Sequence, residues 1–209
     1  MSKVLLINGS PKADGCTAEA LKEMIRTFDA EGVETELVQV GNKNVRGCVS
    51  CGYCMEHGKC VVDDIVNEVA EKFKDADGVV IGSPVYYGSP NGTMLSFLDR
   101  LFYSCAQGAG HMKVGASVVS CRRGGNSASF DVLNKYFTIS GMPVASSTYW
   151  NSVHGFTAAD VEKDLEGLQT VRNIAHNMAF LIRSIAAQKE EKGLPVEEHG
   201  SFTSFPDGK

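Results

Sequence analysis

Residues 3–17 read KVLLINGSPKADGCT, and this stretch decides the fold. Lys3–Asn8 is a short aliphatic and β-branched run that predicts a strand, and Gly9, Ser10 and Pro11 end it. From Thr17 to Ala30 the apolar residues Leu21, Met24, Ile25 and Phe28 recur on one face, which predicts a helix. The loop between them therefore joins a strand to a helix start. Backbone N–H groups at such a start can cradle a phosphate. Ser10 and Thr17 add hydroxyl donors, and Lys12 adds charge. The order of residues is neither that of a Walker loop nor G-x-G-x-x-G. The same residues also read as an ordinary loop with a Ser/Thr helix cap. The position favours a ligand, because ligands collect outside the carboxyl ends of strands in open α/β sheets.

The pattern continues along the chain. Val33–Val40 predicts a second, edge-like strand, and Gly41–Cys60 is a Gly- and Cys-rich loop. Asp63 and Asp64 open a helix carrying Ile65, Val69 and Phe73. Gly78–Ser83 holds Val79-Val80-Ile81, as expected of a strand covered on both faces. A loop at Pro84–Gly92, a helix at Thr93–Ser104, a strand at Lys113–Ser120, a loop at Cys121–Asn126 and a helix at Ala128–Ile139 follow. The last strand is predicted at Pro143–Thr148, followed by a loop at Tyr149–Phe156 and the longest helix, from Ala158 to about Lys189, with a kink in it left open. Strands alternating with helices predict a single three-layer α/β domain over residues 1–192, including a cysteine-rich loop at 47–60, with a polar tail at 193–209.

Composition excludes other classes. The 209 residues are 43% apolar, and 20 Lys and Arg stand against 25 Asp and Glu, for a net charge of −5. A nucleic-acid partner is not expected without a basic footprint. No apolar run reaches the length of a membrane span, so no membrane association is expected. The first residues resemble neither a secretory nor a transit segment, so the expected location is cytoplasmic.

Four of the seven cysteines form Cys48-x2-Cys51-x2-Cys54-x5-Cys60, while Cys16, Cys105 and Cys121 stand apart. Clustering of this kind reads as metal or redox chemistry rather than a disulfide framework. Four thiolates suit an iron–sulfur cluster or tetrahedral zinc, and free redox-active thiols are the third reading. The x5 spacing and Val61 depart from the bacterial ferredoxin run. Asp63 and Asp64 sit at a helix start rather than forming an acid–base pair, and His111 and His154 read as solvated or hydrogen-bonded.

The segment Gly9-Ser10-Pro11-Lys12 with Gly15 and Thr17 resembles the opening of flavodoxin-like NAD(P)H-dependent FMN reductases and iron–sulfur flavoproteins. Ser83-Pro84-Val85-Tyr86-Tyr87-Gly88, Asp99-Arg100, Gly124-Gly125, Tyr149–Gly155 and Asp164–Gly167 extend the likeness over about residues 3–185. The resemblance implies a flavodoxin-like fold with a five-stranded parallel sheet in order 2-1-3-4-5. It implies an FMN-dependent oxidoreductase or electron-transfer flavoprotein in which FMN carries the chemistry and no side chain is catalytic. Ser10, Lys12, Cys16, Thr17 and Ala18 would surround the FMN phosphate, although relatives often have Asn where this chain has Cys16. Pro84, Val85, Tyr86, Tyr87, Gly88 and Ser89 would line the ring, and Cys121, Arg122, Arg123, Gly124 and Gly125 would approach from the next loop. Read locally, the two tyrosines could instead cover a core, and the two arginines could be plain surface.

The cysteine motif resembles the compact one that binds a [4Fe–4S] cluster, with Cys48, Cys51, Cys54 and Cys60 as ligands. With a cluster, ferredoxin or another small redox protein is the expected partner. Without one, the resemblance implies a direct NAD(P)H-dependent FMN or quinone reductase. A non-enzymatic flavin- or zinc-binding sensor is the reading from another class. A homodimer or homotetramer is expected.

Overall fold

The computed structural model describes residues 2–105, 108–201 and 203. Its central sheet follows the order β2-β1-β3-β5-β6, formed by Glu34–Gln39, Lys3–Asn8, Gly78–Tyr86, Val114–Cys121 and Ser152–His154. All pairings along this path are parallel. The two-residue β4, Ser89–Pro90, folds back antiparallel on β3. Leaving β4 aside, this is the expected 2-1-3-4-5 order of a flavodoxin-like three-layer fold.

Side chains of a strand alternate between the two faces of its sheet. Leu5, Ile7, Val79, Ile81 and Val119 therefore join one core, with Phe73, Phe97, Leu101 and Phe137 from α3 (Ile65–Asp75), α4 (Gly92–Cys105) and α5 (Asn126–Ile139). Val4, Leu6, Val80, Val118 and Val153 join the other, with Leu21, Met24 and Phe28 of α1 (Cys16–Ala30) and Ile174 and Met178 of α7 (Leu165–Lys192). Each such large side chain contributes roughly 1.5–3 kcal/mol when buried, so the two-sided apolar pattern drives the layering.

Three expectations need correction. The Pro143–Thr148 segment makes only one isolated bridge, Gly115 to Val144, and the sheet position is taken by Ser152–His154. Asn151 explains the change. Its Nδ2 donates to the Ser117 carbonyl at 3.0 Å and its own carbonyl accepts from Val119 N at 2.9 Å, so the chain rejoins β5 further along. The long C-terminal helix is broken into α6 (Ala158–Val161) and α7, because Asp164 caps α7 by accepting from Gly167 N at 3.0 Å. The loop at Gly41–Cys60 contains a short helix, α2 (Tyr53–His57), bounded by Gly52 and Gly58 in the left-handed region. Among the described residues, no helix is long and apolar enough to cross a membrane.

Candidate active site

A cleft of about 470 Å³ opens at the carboxyl edge of the sheet. The β1–α1 loop supplies Ser10, Lys12, Cys16 and Thr17, β3 supplies Pro84, Val85 and Tyr86, and the end of β5 supplies Cys121 and Arg122. These nine residues, expected from three separate segments of sequence, meet in one place because parallel strands deliver all their following loops to the same edge.

The β1–α1 wall presents hydrogen-bond donors. Helix α1 begins after Gly15, which offers no side-chain cap. Its first N–H groups thus lack the hydroxyl or carboxylate that helix starts normally use. Ser10 Oγ accepts the Lys12 N–H at 3.1 Å, which leaves the hydroxyl proton free to donate. Thr17, buried at the base, shares a hydrogen bond of 2.8 Å with Ser120 Oγ and so ties α1 to β5 beneath the cleft. Burial pushes the thiols of Cys16 and Cys121 up, which favours the protonated form of each.

The loop after β3 is a tight hairpin. Tyr86 pairs with Ser89 across Tyr87 and Gly88, and both central residues have positive φ, 51° and 75°. That is the geometry of a type I′ turn, in which Gly fits readily and Tyr does not. Tyr87 is fully exposed, and Tyr86 is half-exposed against the cleft. Gly125, with φ of 86°, lies against this hairpin: a Cβ there would stand 2.8 Å from Gly88 Cα and from Val85 Cγ1. Gly88 and Gly125 therefore interlock two loops and do not border the cleft. Ala18, Tyr87, Ser89, Arg123 and Gly124 of the expected set also lie outside its lining.

Asp14, Gly15, Ser120 and the wall Gly155-Phe156-Thr157-Ala158 border the cleft and were missed from sequence. A signal for the wall was present. Thr157 and Asp160 form a capping box at α6, with Thr157 Oγ1 and Thr157 N each donating to Asp160 Oδ2 at 2.9 Å. The hydrogen bonds from Thr157 hold the Asp160 carboxyl below the usual carboxylate range. Beside this wall, His154 Nδ1 lies 3.2 Å from Asp164 Oδ2, and its backbone N–H donates to the same oxygen at 2.7 Å.

Residues 2–157 match the family described as NADPH-dependent FMN reductase. The chain belongs to this family. It is an oxidoreductase by that membership, with the flavodoxin-like fold. An iron–sulfur flavoprotein of Methanocaldococcus jannaschii is 32% identical over 194 residues, covering 88% of this chain and 98% of the relative. One of Methanosarcina thermophila is 29% identical over 192 residues, covering 90% and 100%. Among solved structures, RosB with bound 8-demethyl-8-formylriboflavin-5′-phosphate matches with a TM-score of 0.73 at 16% identity, covering 100% of this chain and 95% of that one. A flavone reductase matches with a TM-score of 0.70 at 17% identity, covering 88% and 64%. At these identities the two structures establish likeness of fold.

The expected [4Fe–4S] centre is corrected. Cys48, Cys51, Cys54 and Cys60 border one small apolar cavity, but among the described residues no three His, Cys, Asp or Glu side chains are grouped to hold a metal ion. Three of the four sulfurs have separate partners. Ser50 N donates to Cys48 Sγ at 3.4 Å, and Cys54 Sγ lies 4.0 Å from the Tyr103 carbonyl. Cys60 Sγ accepts from Arg100 Nε and Nη2, each at 3.3 Å. Cys48 and Cys51 are exposed. The reading built on a cluster gives way to the cluster-free reductase, and zinc at these thiols falls with it.

Arg100 organises this loop, a role that the Asp99-Arg100 pair did not reveal. Its buried guanidinium grips both oxygens of Asp64, at 2.7 and 2.9 Å, and donates to the Val62 carbonyl at 3.0 Å. Asp64 in turn caps α3 by accepting from Val66 N at 3.0 Å.

Proposed function

We propose that the chain is a cluster-free, NAD(P)H-dependent FMN or quinone reductase whose FMN site is the cleft at the carboxyl edge of β1, β3 and β5. The observation that carries this reading is the β1–α1 wall: an uncapped helix start, the Ser10 hydroxyl and Lys12 on one side of a cleft large enough for a cofactor. The position agrees with the rule that places ligands where strand order reverses, here between β1 and β3. The donor set suits a phosphate monoester, and the apolar wall of Pro84, Val85 and Tyr86 suits a flat ring.

FMN bound there supplies the hydride and electron chemistry. The helix start, Ser10 and Lys12 anchor the phosphate. Pro84, Val85 and Tyr86 exclude water from one side of the ring. Arg122 stands where a second anionic group, such as a nicotinamide nucleotide phosphate, would enter. The domain is taken as residues 1–192, working in the cytoplasm. The exposed aromatics Tyr87, Tyr149, Trp150 and Phe156 support assembly as a homodimer or homotetramer, with reduced nicotinamide rather than a small redox protein as donor.

The test is FMN titration of the purified protein, followed by NADPH and NADH oxidation with a quinone or free flavin as acceptor. Micromolar binding and FMN-dependent turnover are expected. Absence of flavin binding would overturn the assignment of the cleft.

A further inference from the structure

Three side-chain amides outside the cleft, those of Asn8, Gln39 and Asn91, hold the β1–α1 loop in one orientation. Gln39, the last residue of β2, donates from Nε2 to the Ser10 carbonyl. Asn8 Nδ2 donates to Gln39 Oε1 at 2.8 Å, and Asn8 Oδ1 accepts from Ser10 N at 2.9 Å. These three bonds close a ring around Ser10. On the opposite flank, buried Asn91 donates from Nδ2 to the Gly9 carbonyl at 2.8 Å, while its Oδ1 caps α4 by accepting from Thr93 N at 2.8 Å. Neither Gln39 nor Asn91 borders the cleft. The backbone is also pressed from outside. A Cβ on Gly41 would collide with the Gly9 carbonyl and with the Ser10 carbonyl group, and one on Gly9 would meet Met94 Cε at 2.6 Å.

Gly9 and Ser10 each carry a carbonyl that could face either way. The peptide between Ser10 and Pro11 is the sharper case, because proline has no N–H. Rotated toward the cleft, that unit would present an oxygen and no donor. A carbonyl oxygen aimed at a phosphate repels it, whereas the Ser10 hydroxyl and the α1 N–H groups attract it. Gln39 and Asn91 occupy these two carbonyls, so the cleft wall is left with donors.

We infer that Gln39 and Asn91 are positioning residues that set how strongly the site discriminates a phosphate-bearing flavin from one without phosphate. This rests on the FMN reading above and adds to it a determinant remote from the ligand. The matched variants carry no new charge. Gln39→Met removes both polar ends at similar length. Asn91→Ser keeps an oxygen to cap α4 and loses the amide donor.

The experiment is fluorescence titration of wild type and both variants with FMN and with riboflavin. Wild type should prefer FMN. Each variant should lose roughly tenfold in FMN affinity, as expected for a lost hydrogen bond that also frees a carbonyl to turn. Riboflavin affinity should stay within about twofold, which also reports that the variant is folded. If FMN and riboflavin weaken together, or if both variants keep the wild-type FMN preference, the positioning role is wrong while the FMN site stands. If wild type itself fails to bind FMN, or binds the two flavins equally, the phosphate-anchoring reading fails and this inference fails with it. Should Gln39→Met not fold, the Asn91→Ser arm decides on the same criteria.

Discussion

Replacing Arg100 by methionine keeps an unbranched apolar stem and removes the guanidinium that joins α4 to the loop before α3. In the native protein its side chain is 1% exposed, and that of Asp64 is 22% exposed. Removing one member of a buried ion pair costs about 3–5 kcal/mol, because the other charge is left without its partner. Asp64 reaches water and keeps its bond to Val66 N, which moves the expected loss to the lower end, about 3 kcal/mol. The Val62 and Arg46 carbonyls and Cys60 Sγ also lose donors, at 3.0, 3.4 and 3.3 Å. Arg100→Lys keeps the charge but cannot fork onto both Asp64 oxygens, so it should lose less, about 1–2 kcal/mol. Urea unfolding followed by circular dichroism gives the stabilities, and hydrogen exchange over residues 46–64 localises the change. The methionine variant should unfold at lower urea with the slope unchanged, and protection should fall in the loop first. A methionine variant within about 1 kcal/mol of wild type, or more stable than the lysine variant, would refute the assignment of Arg100 as the loop's anchor.

Three further outcomes are expected. Burial and the 2.6 Å hydrogen bond to Asp99 push the Tyr136 phenol far up, so alkaline difference spectroscopy should show one of the six tyrosines silent until the protein unfolds, and Tyr136→Phe should remove that silent residue. Arg183, then His176, holds the Glu31 carboxyl below the usual range; a depressed native pKa contributes stability above the unfolded carboxylate value of about 4.3 and loses it as pH falls through the native one, so Glu31→Gln should flatten the acid limb of a stability–pH curve and leave its alkaline limb unchanged. A thiol reagent should modify exposed Cys48 and Cys51 in the native state and reach buried Cys105 only on unfolding, as read by mass spectrometry of timed samples.

The central strands were legible because runs such as Val79-Val80-Ile81 are buried on both faces and need no further context. The fifth strand was not. Val144 and Ala145 carry the apolar signal and do touch β5, but the sheet continues at Ser152–His154, where Asn151 does the joining. A polar residue that substitutes for strand pairing leaves no period to read. The cleft followed the same logic. Its β1–α1 loop has a recognisable composition, whereas the Gly155–Ala158 wall lines the cleft only because β6 ends beside β5. The cysteine spacing announced chemistry, yet it could not show that Cys60 would face Arg100 from a helix forty residues away. That pairing depends on where α4 packs, which is a property of the whole core.

The anchoring of the cysteine-rich segment has a consequence for how the protein can change. Gly41 is fixed against the β1–α1 loop, and Cys60, Val62 and Asp64 are fixed by Arg100, so residues 42–59 are strung between two secured ends. The closure entropy of a flexible span grows only logarithmically, with each doubling of length costing about 0.6 kcal/mol. The stretch is in effect an exchangeable cassette. It can be lengthened, shortened or replaced at little expense to the fold, and in evolution or design it is where a new appendage could be fitted while the cleft keeps its shape.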